Sequence, residues 1–597
     1  MCRIAGLVDF LNSITETKHR VEQMCYLQKH GGPDDGGIFV SEDCQLVLGN
    51  RRLSLLDLSK EGHMPMCYEN QYHITYNGEI YNYLDLKTEL ISLGHKFSNQ
   101  TDTEVILAAF SQWGELSFQK LKGMFAFAIF DSKEKELYLV RDASGIKPLY
   151  YTISDSGLGF ASEVRALKES IQDSAVEKNW PIYFMAYGHL PEPVTTFSAI
   201  KPLPKGFFLK YSFVSKKYHF QSISHFSYSC QIKDPAIAHG EIEKVLREAV
   251  NSHLLADAPI GVFLSGGLDS GIIASIASDT KKEQLNSLSI YFEEAKYSEK
   301  KYQDIMIQQL NCNYHQLLLK ENDFENSFPE ILNSMDLPSC DGINTWFISK
   351  HAAEKGLKAV LSGLGGDELF GGYPSFNRLH ASYYLQKLPE FIKMAGKKSG
   401  FKRLTRMSYL KLDGIKGIYL FLRGHFTPYE IAQQLGAYEN DIWNCLDELP
   451  NIVQIDTAND KNTASWMEFN LYMQNQLLRD ADIMGMTHGV EIRVPFLDDA
   501  VVRMANKIES KIKYNGKLPK QFLIDTFHHR LPKEIWDRPK MGFSFPFSQW
   551  LAKNNYAKQL MMGGSLMSQK KYQSFMEGKL HWSHLMTLMI MNHRKVI

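Results

Sequence analysis

The chain reads as two folds in tandem, a sheet-dominated α+β domain followed by an α/β domain on a parallel sheet. Three observations predict it. Short strand-like runs separated by Gly, Asp and Asn turns fill the chain to about residue 190. From about residue 236, helix-like segments alternate with short apolar strands, as βα units on a parallel sheet do. Between the two lies a stretch with Pro191, Pro193, Pro202 and Pro204, then polar and aromatic residues.

Taken in order, strands are expected at 44–48, 72–76, 124–130, 137–140 and 159–161, with a helix over Asp102 to Trp113. The proline-rich 191–235 segment reads as a linker or connecting strands. Buried strands follow at 261–264, 288–292 and 358–361, and 380–500 reads as mostly helical. The expected organisation is therefore a first domain over 1–190, a linker over 191–235, a second domain over 236–550 and a helical tail over 551–597. The tail methionines Met586, Met589 and Met591 read as core packing.

The 597 residues carry a net charge of -1 and 44% apolar residues, enough for large cores and with no pull toward nucleic acid or an anionic membrane. No apolar run reaches the roughly 20 residues that span a bilayer, and MCRIAGLVDF lacks the pattern of a signal peptide. The eight cysteines show no CxxC pair or zinc-ligand spacing, which suits reduced thiols in a cytoplasmic protein.

One cysteine stands apart by position. If Met1 is removed, Cys2 carries a thiol and a free α-amine, and the amine can serve as its local base. Asn77-Gly78-Glu79 follows a strand-like run, and an Asn amide beside a Gly N–H can form an oxyanion hole. Alone, Asn-Gly is an ordinary turn. Arg52 can clamp a carboxylate bidentately. Asp102 can take an ammonium group, or simply cap the helix it opens.

These residues stand in one order: Cys2, His30-Gly31-Gly32-Pro33-Asp34-Asp35, Arg52-Leu53-Ser54, Asn77-Gly78-Glu79, Asp102, and Arg141-Asp142-Ala143-Ser144-Gly145-Ile146-Lys147-Pro148-Leu149-Tyr150. In that order they resemble a class II glutamine amidotransferase domain. The resemblance implies an N-terminal-nucleophile hydrolase fold, two stacked antiparallel sheets between helices. It implies Cys2 as nucleophile, Asn77 and Gly78 as oxyanion donors, and Arg52, Asn77, Glu79 and Asp102 around glutamine. Such domains usually open Met-Cys-Gly and read His-Arg-Gly-Pro-Asp, whereas this chain has Arg3 and Gly31. A compensating swap is expected, with the Arg3 guanidinium in the space vacated beside Gly31; the alternative is two unrelated changes.

The second chemical motif is Gly261 to Ser270, a strand, a Gly-rich turn and a helix start. Small residues let the backbone approach phosphate oxygens, and a helix N-terminus favours anions. It is not a Walker loop, which would end in Gly-Lys-Ser/Thr. It resembles the SGGxDS loop of enzymes that split ATP between the α- and β-phosphates, which places Leu264, Ser265, Gly266, Gly267, Asp269 and Ser270 at ATP. A second Gly-rich loop, Leu361 to Tyr373, adds Ser362 and Gly363. Asp269 and Asp367 are hard oxygen ligands suited to Mg²⁺. Lys520 can stabilise charge on leaving pyrophosphate, and Arg538-Pro539-Lys540-Met541-Gly542-Phe543 supplies further cations.

Together with Arg479-Asp480-Ala481-Asp482 and Glu491 to Asp498, these motifs resemble the synthetase domain of the asparagine synthetase family. The resemblance covers Cys2 to about residue 550. It implies an ATP-pyrophosphatase-type domain that adenylates a carboxylate with MgATP and then forms an amide with ammonia from glutamine. The partners implied are glutamine, ATP and a carboxylate acceptor, and a homodimer is compatible with it. Aspartate is the expected acceptor. Another carboxylate, such as a sugar uronic acid, stays open for two reasons. Family members commonly carry Glu where this chain has Leu364, and 336–345 holds no arginine. Asp341 and Asn344 are candidates to line the acceptor pocket, or to cap the following helix. A catalytically idle glutamine-binding or scaffold protein is the remaining alternative.

Overall fold

The computed structural model describes residues 2–171, 175–224, 227–396, 402–449, 460–542 and 544–595, with only the backbone of 402 and 403. Met1 and Phe543, which the sequence motifs include, lie outside them. The strands in chain order are β1 (Cys2–Asp9), β2 (Asp35–Ser41), β3 (Leu46–Arg52), β4 (Met66–Tyr68), β5 (Tyr72–Ile80), β6 (Gly123–Asp131), β7 (Glu136–Arg141), β8 (Tyr150–Ser154), β9 (Gly157–Ala161), β10 (Lys201–Pro202), β11 (Phe207–Ser212), β12 (Lys217–Ser222), β13 (Ile260–Phe263), β14 (Asn286–Tyr291), β15 (Asn313–Leu318), β16 (Ala359–Leu361) and β17 (Glu491–Arg493).

The first twelve build two antiparallel sheets, ordered β10-β8-β9-β1-β3-β2 and β12-β11-β7-β6-β5-β4. Their facing residues form one apolar layer, with Ile4, Leu46, Leu48 and Phe160 from one sheet and Ala126, Phe130, Leu139 and Leu209 from the other. Helix Ile14–Leu27 covers the outer face of the first sheet through Val21 and Met24. Helix Asp102–Trp113 covers the second through Val105 to Phe110. This is the expected stack of two sheets between helices. The stretch read as a linker, 191–235, contributes β10 to one sheet and β11 and β12 to the other, with Phe208 opposite Val140 and Leu209 opposite Leu139.

The remaining five strands form a parallel sheet ordered β15-β14-β13-β16-β17. From β13 the chain moves outward to β14 and β15, then returns to β16 on the other side. Such a reversal leaves a crevice beyond the carboxyl ends of the two central strands, where α/β sheets bind ligands. Both Gly-rich loops leave β13 and β16 at that crevice. The described part of 380–500 is mostly helical and delivers β17, and Met586, Met589 and Met591 of helix Trp582–His593 are fully buried in the adjoining core. Among the described residues, no helix is long and apolar enough to cross a membrane.

Two candidate active sites

The first site forms where β1 ends its sheet. Antiparallel pairing sets Cys2 opposite Arg52. The Cys2 N–H donates to Asn77 Oδ1 at 3.2 Å, tying β1 to β5 of the other sheet. The Asn77 Nδ2 is buried with no hydrogen-bond partner among the described residues. Gly78 has φ +156°, and a Cβ there would lie 2.2 Å from the Met124 carbonyl oxygen, so the backbone path requires glycine.

Around this point a small cavity is lined by Cys2, Arg52, Gly78, Glu79 and Asp102, among others. Asn77 is not among the lining residues, but it is bonded to Cys2 at the cavity through its Oδ1. The Arg52 guanidinium donates to the carbonyls of Ser59 at 2.9 Å, Leu56 at 3.3 Å and Asp57 at 2.5 Å, which fixes it at the mouth. Thr101, not Asp102, caps the helix, accepting from Glu104 N. Asp102 instead receives Tyr76 Oη at 2.8 Å and Ile80 N at 2.9 Å, and its side chain is buried at the cavity wall.

Burial pushes the Cys2 thiol up, against the opposing pull of the chain terminus and Arg52. A buried neutral thiol needs a base close by to become a nucleophile. Burial also raises Asp102, and it raises Glu79 to about 8 despite the Arg493 guanidinium. Tyr76, which holds Asp102, was not singled out in the sequence; an aromatic in a buried strand carries no signal of such a role.

The expected placement of Arg3 is observed. Its side chain is fully buried and lies against Gly31, where a Cβ would meet Arg3 Cγ and Nε at 2.8 Å. Arg3 Nε donates to Glu163 Oε1 at 2.8 Å and Nη1 to Asp482 Oδ2 at 2.7 Å.

The second site is a cavity of about 350 Å³ at the carboxyl ends of β13, β14 and β16. Leu264, Ser265, Gly267, Asp269, Ser270, Ser362 and Gly363 line it, as do Asp367 and Lys520. Gly266 does not. It turns away with φ +80°, and its carbonyl accepts from Arg538 Nη2 at 2.9 Å. Lys520 Nζ sits 2.6 Å from Asp269 Oδ2 and 2.7 Å from Asp367 Oδ1, and Lys540 reaches Asp367 Oδ2 at 2.7 Å. Burial works against the Asp367 charge, but the two lysines hold its carboxyl low, at about 2. Asp269, more dominated by burial, is raised.

The acceptor candidates separate. Asn344 lines the cavity. Asp341 neither lines it nor caps the following helix: its Oδ1 accepts from Gly342 N at 2.9 Å, but the N-cap of helix Ile343–Glu354 is Gly342, with no side-chain cap bond. Leu364 lines the cavity with its apolar side chain. A carboxylate not expected at the site, Glu368, also lines it and receives Tyr373 Oη at 2.7 Å. Its only signal was an acid inside the second Gly-rich loop.

A cation fits here. Asp269 Oδ1 is a buried acceptor with no hydrogen-bond partner among the described residues, beside a second carboxylate, Asp367. Two carboxylates suit Mg²⁺, which keeps waters and phosphate oxygens for its remaining positions. No cluster of three or more His, Cys, Asp or Glu fit for a metal occurs among the described residues.

Residues 241–585 match the asparagine synthase family, and residues 1–221 match the glutamine amidotransferase domain family. The glutamine-hydrolysing asparagine synthetase 1 of Bacillus subtilis is 30% identical over 573 residues, covering 92% of this chain and 88% of that protein. Asparagine synthetase B of Escherichia coli, also glutamine-hydrolysing, is 28% identical and covers 91% and 82%. A protein of Gibberella zeae named Amidase chry2 is 25% identical, covering 87% and 84%.

Proposed function

This chain belongs to the asparagine synthase family as a glutamine-hydrolysing, ATP-dependent ligase, and on that premise we propose the roles of its residues and the identity of its acceptor. Cys2 attacks the glutamine carboxamide after its own α-amine takes the thiol proton. Asn77 Nδ2 and the Gly78 N–H receive the charge that builds on the carbonyl oxygen. Arg52 and Glu79 with Asp102 hold the α-carboxylate and α-ammonium groups of glutamine. Collapse releases ammonia, and water frees glutamate from the thioester.

In the larger cavity the two Gly-rich loops cradle ATP, and Asp269 and Asp367 would hold Mg²⁺, which would supply neutralisation of phosphate charge. The acceptor carboxylate displaces pyrophosphate to give an acyl-adenylate. Adenylation is needed because a carboxylate is a poor electrophile and AMP is a far better leaving group than oxide. Lys520 follows the charge onto pyrophosphate, and ammonia then displaces AMP. The reading is carried by the relation of the two cavities. Glu79 lines the first, Ile492 lines the second, and Arg493, next to Ile492, reaches Glu79 Oε1 at 3.3 Å.

Aspartate is the proposed acceptor, supported by similarity over most of the chain to asparagine synthetases. A second reading, another carboxylate such as a sugar uronic acid, is favoured by Leu364 in the cavity. The lining cations Lys520, Lys540 and Arg538 are already held by Asp269, Asp367 and Glu299. Eight free thiols support a cytoplasmic setting. ATP–pyrophosphate exchange across a panel of acids tests this. Exchange with aspartate and formation of asparagine is the expected result; exchange with another acid alone transfers the proposal to that acid. Glutamate release that survives Cys2→Ala sinks the assignment of the nucleophile.

A further inference from the structure

Behind both cavities lies a chain of buried charges of which the reaction above uses only the first, Glu79. It starts at Glu79 on the rim of the Cys2 cavity and passes to Arg493, which is 2.6 Å from Glu491 Oε1. Lys147 stands 4.0 Å from Glu491 Oε2 and 3.7 Å from Asp482 Oδ1. Asp482 Oδ2 takes Arg3, and Arg3 also holds Glu163, which His30 reaches at 2.9 Å and Arg165 at 3.0 Å. Arg3, Lys147, Glu163, Glu491 and Arg493 are essentially inaccessible to solvent. The chain crosses repeatedly between the N-terminal domain and the helix Arg479–Met486 and β17 of the second. Ala481 and Ile492, the chain neighbours of Asp482 and of Arg493, line the larger cavity.

Arg3 is the joint of this chain. It is one residue from Cys2, paired with Arg51 in β3, and its fork spans a carboxylate of each domain. The space it fills is exclusive. A side chain at position 31 would collide with Arg3 Cγ and Nε at 2.8 Å, so one position or the other can place a guanidinium there. The same contact explains Gly31: its backbone lies in ordinary right-handed or extended conformation, and room for Arg3 is what requires glycine.

We propose that Arg3 is a positioning residue that registers the Cys2 strand against the Asp482 helix and keeps the joint between the two domains closed to solvent, so that ammonia released at Cys2 reaches the synthetase cavity without loss. This rests on the two-site reaction proposed above. His30 and Arg165 reach Glu163, and Lys147 stands beside Asp482, but it is Arg3 whose fork joins these two carboxylates of different domains; without it that bond across the joint is lost and the surfaces can part. The strand that parts is the one carrying the nucleophile.

The test compares the wild type, Arg3→Gly, Arg3→Lys and the double variant Arg3→Gly with Gly31→Arg. Each is supplied with glutamine, MgATP and L-aspartate, and separately with ammonium chloride in place of glutamine. The wild type is expected to form about one asparagine per glutamate. Arg3→Gly is expected to release several glutamates per asparagine while its ammonium-driven rate stays within about twofold. Arg3→Lys, with one charge and no fork, falls between. The double variant, which returns a guanidinium from position 31, moves the ratio back toward one. An unchanged ratio in a folded Arg3→Gly overturns the proposal, as does an equal loss of the glutamine-driven and ammonium-driven rates. If the wild type makes no asparagine, it is the acceptor assignment that has failed. Arg3 is then judged by hydrogen exchange of residues 479–486, which must accelerate in Arg3→Gly and recover in the double variant; unchanged exchange overturns it.

Discussion

Arg3 Nη1 donates to Asp482 Oδ2 at 2.7 Å across 479 positions of sequence, with both side chains sealed from solvent. Removing one member of a buried pair leaves the other charged and unsolvated, which costs about 3–5 kcal/mol. Asp482→Ala is therefore expected to destabilise the chain by that amount. Lys18→Ala, which breaks an exposed pair with Glu22 at 3.7 Å, is expected to stay within about 0.5 kcal/mol. Urea unfolding midpoints of the two variants check the contrast; equal effects would remove the buried network from the stability of the fold.

Asn77 offers two groups to the Cys2 site, an Oδ1 that receives the Cys2 N–H and an Nδ2 with no hydrogen-bond partner among the described residues. A developing oxyanion would give that donor its partner only in the transition state. Asn77→Ala is expected to lower kcat for glutamine hydrolysis by about 10²–10³-fold with KM for glutamine little changed. Steady-state kinetics decide the point, since a rise in KM at constant kcat would make Asn77 a ground-state ligand.

Much of this was legible in the chain because it is local. Helix Asp102–Trp113 follows from its apolar pattern, although its cap is Thr101 and not Asp102, and both Gly-rich loops announce themselves between an apolar strand and a helix. What was not legible depends on pairing at a distance. The strand expected at 44–48 runs instead from Leu46 to Arg52, because Arg51 and Arg52 are held extended between β1 and β2, which no propensity encodes. Prolines at 202 and 204 hid β10 to β12, yet they stand at or before strand ends, where no ladder donor is lost. The swap of Arg3 and Gly31 could be suspected from two positions, but Asp482 as its second partner could not. A charge in a helix usually faces water, and only the docking of the domains turns this one inward.

Glu368 makes the stability of the second domain depend on pH. Burial, followed by the neighbouring Asp367 charge, pushes its carboxyl up to about 8, whereas an unfolded glutamate titrates near 4.3, the reference value of about 4.3. Between those values the folded chain keeps a proton that the unfolded chain has lost, so stability falls as pH rises. The contribution is complete below the unfolded value and is gone above about 8. Glu368→Gln cannot lose that proton. Relative to the wild type, the variant is expected to gain at least about 1 kcal/mol between roughly pH 5 and pH 8.5. Urea unfolding at the two pH values measures the shift, and a gap between the two proteins that does not change with pH contradicts it.

The two sites should respond separately to loss of the metal. Asp269 and Asp367 are the carboxylates that would hold Mg²⁺, and both lie in the larger cavity, away from the cavity around Cys2. Chelation with EDTA is expected to abolish ATP–pyrophosphate exchange while Cys2-dependent release of glutamate continues. Lys520→Met adds a second discrimination. The ammonium group lies between the two carboxylates at 2.6 and 2.7 Å, so its loss brings them into direct repulsion when no cation is present, and Mg²⁺ relieves it. Thermal unfolding of Lys520→Met should therefore rise more steeply with added MgCl₂ than that of the wild type. Its exchange rate should stay depressed by about 10²-fold at saturating metal, because Mg²⁺ restores charge balance but not the cation that follows pyrophosphate. Full recovery of exchange at high MgCl₂ would reduce Lys520 to a spacer between two acids.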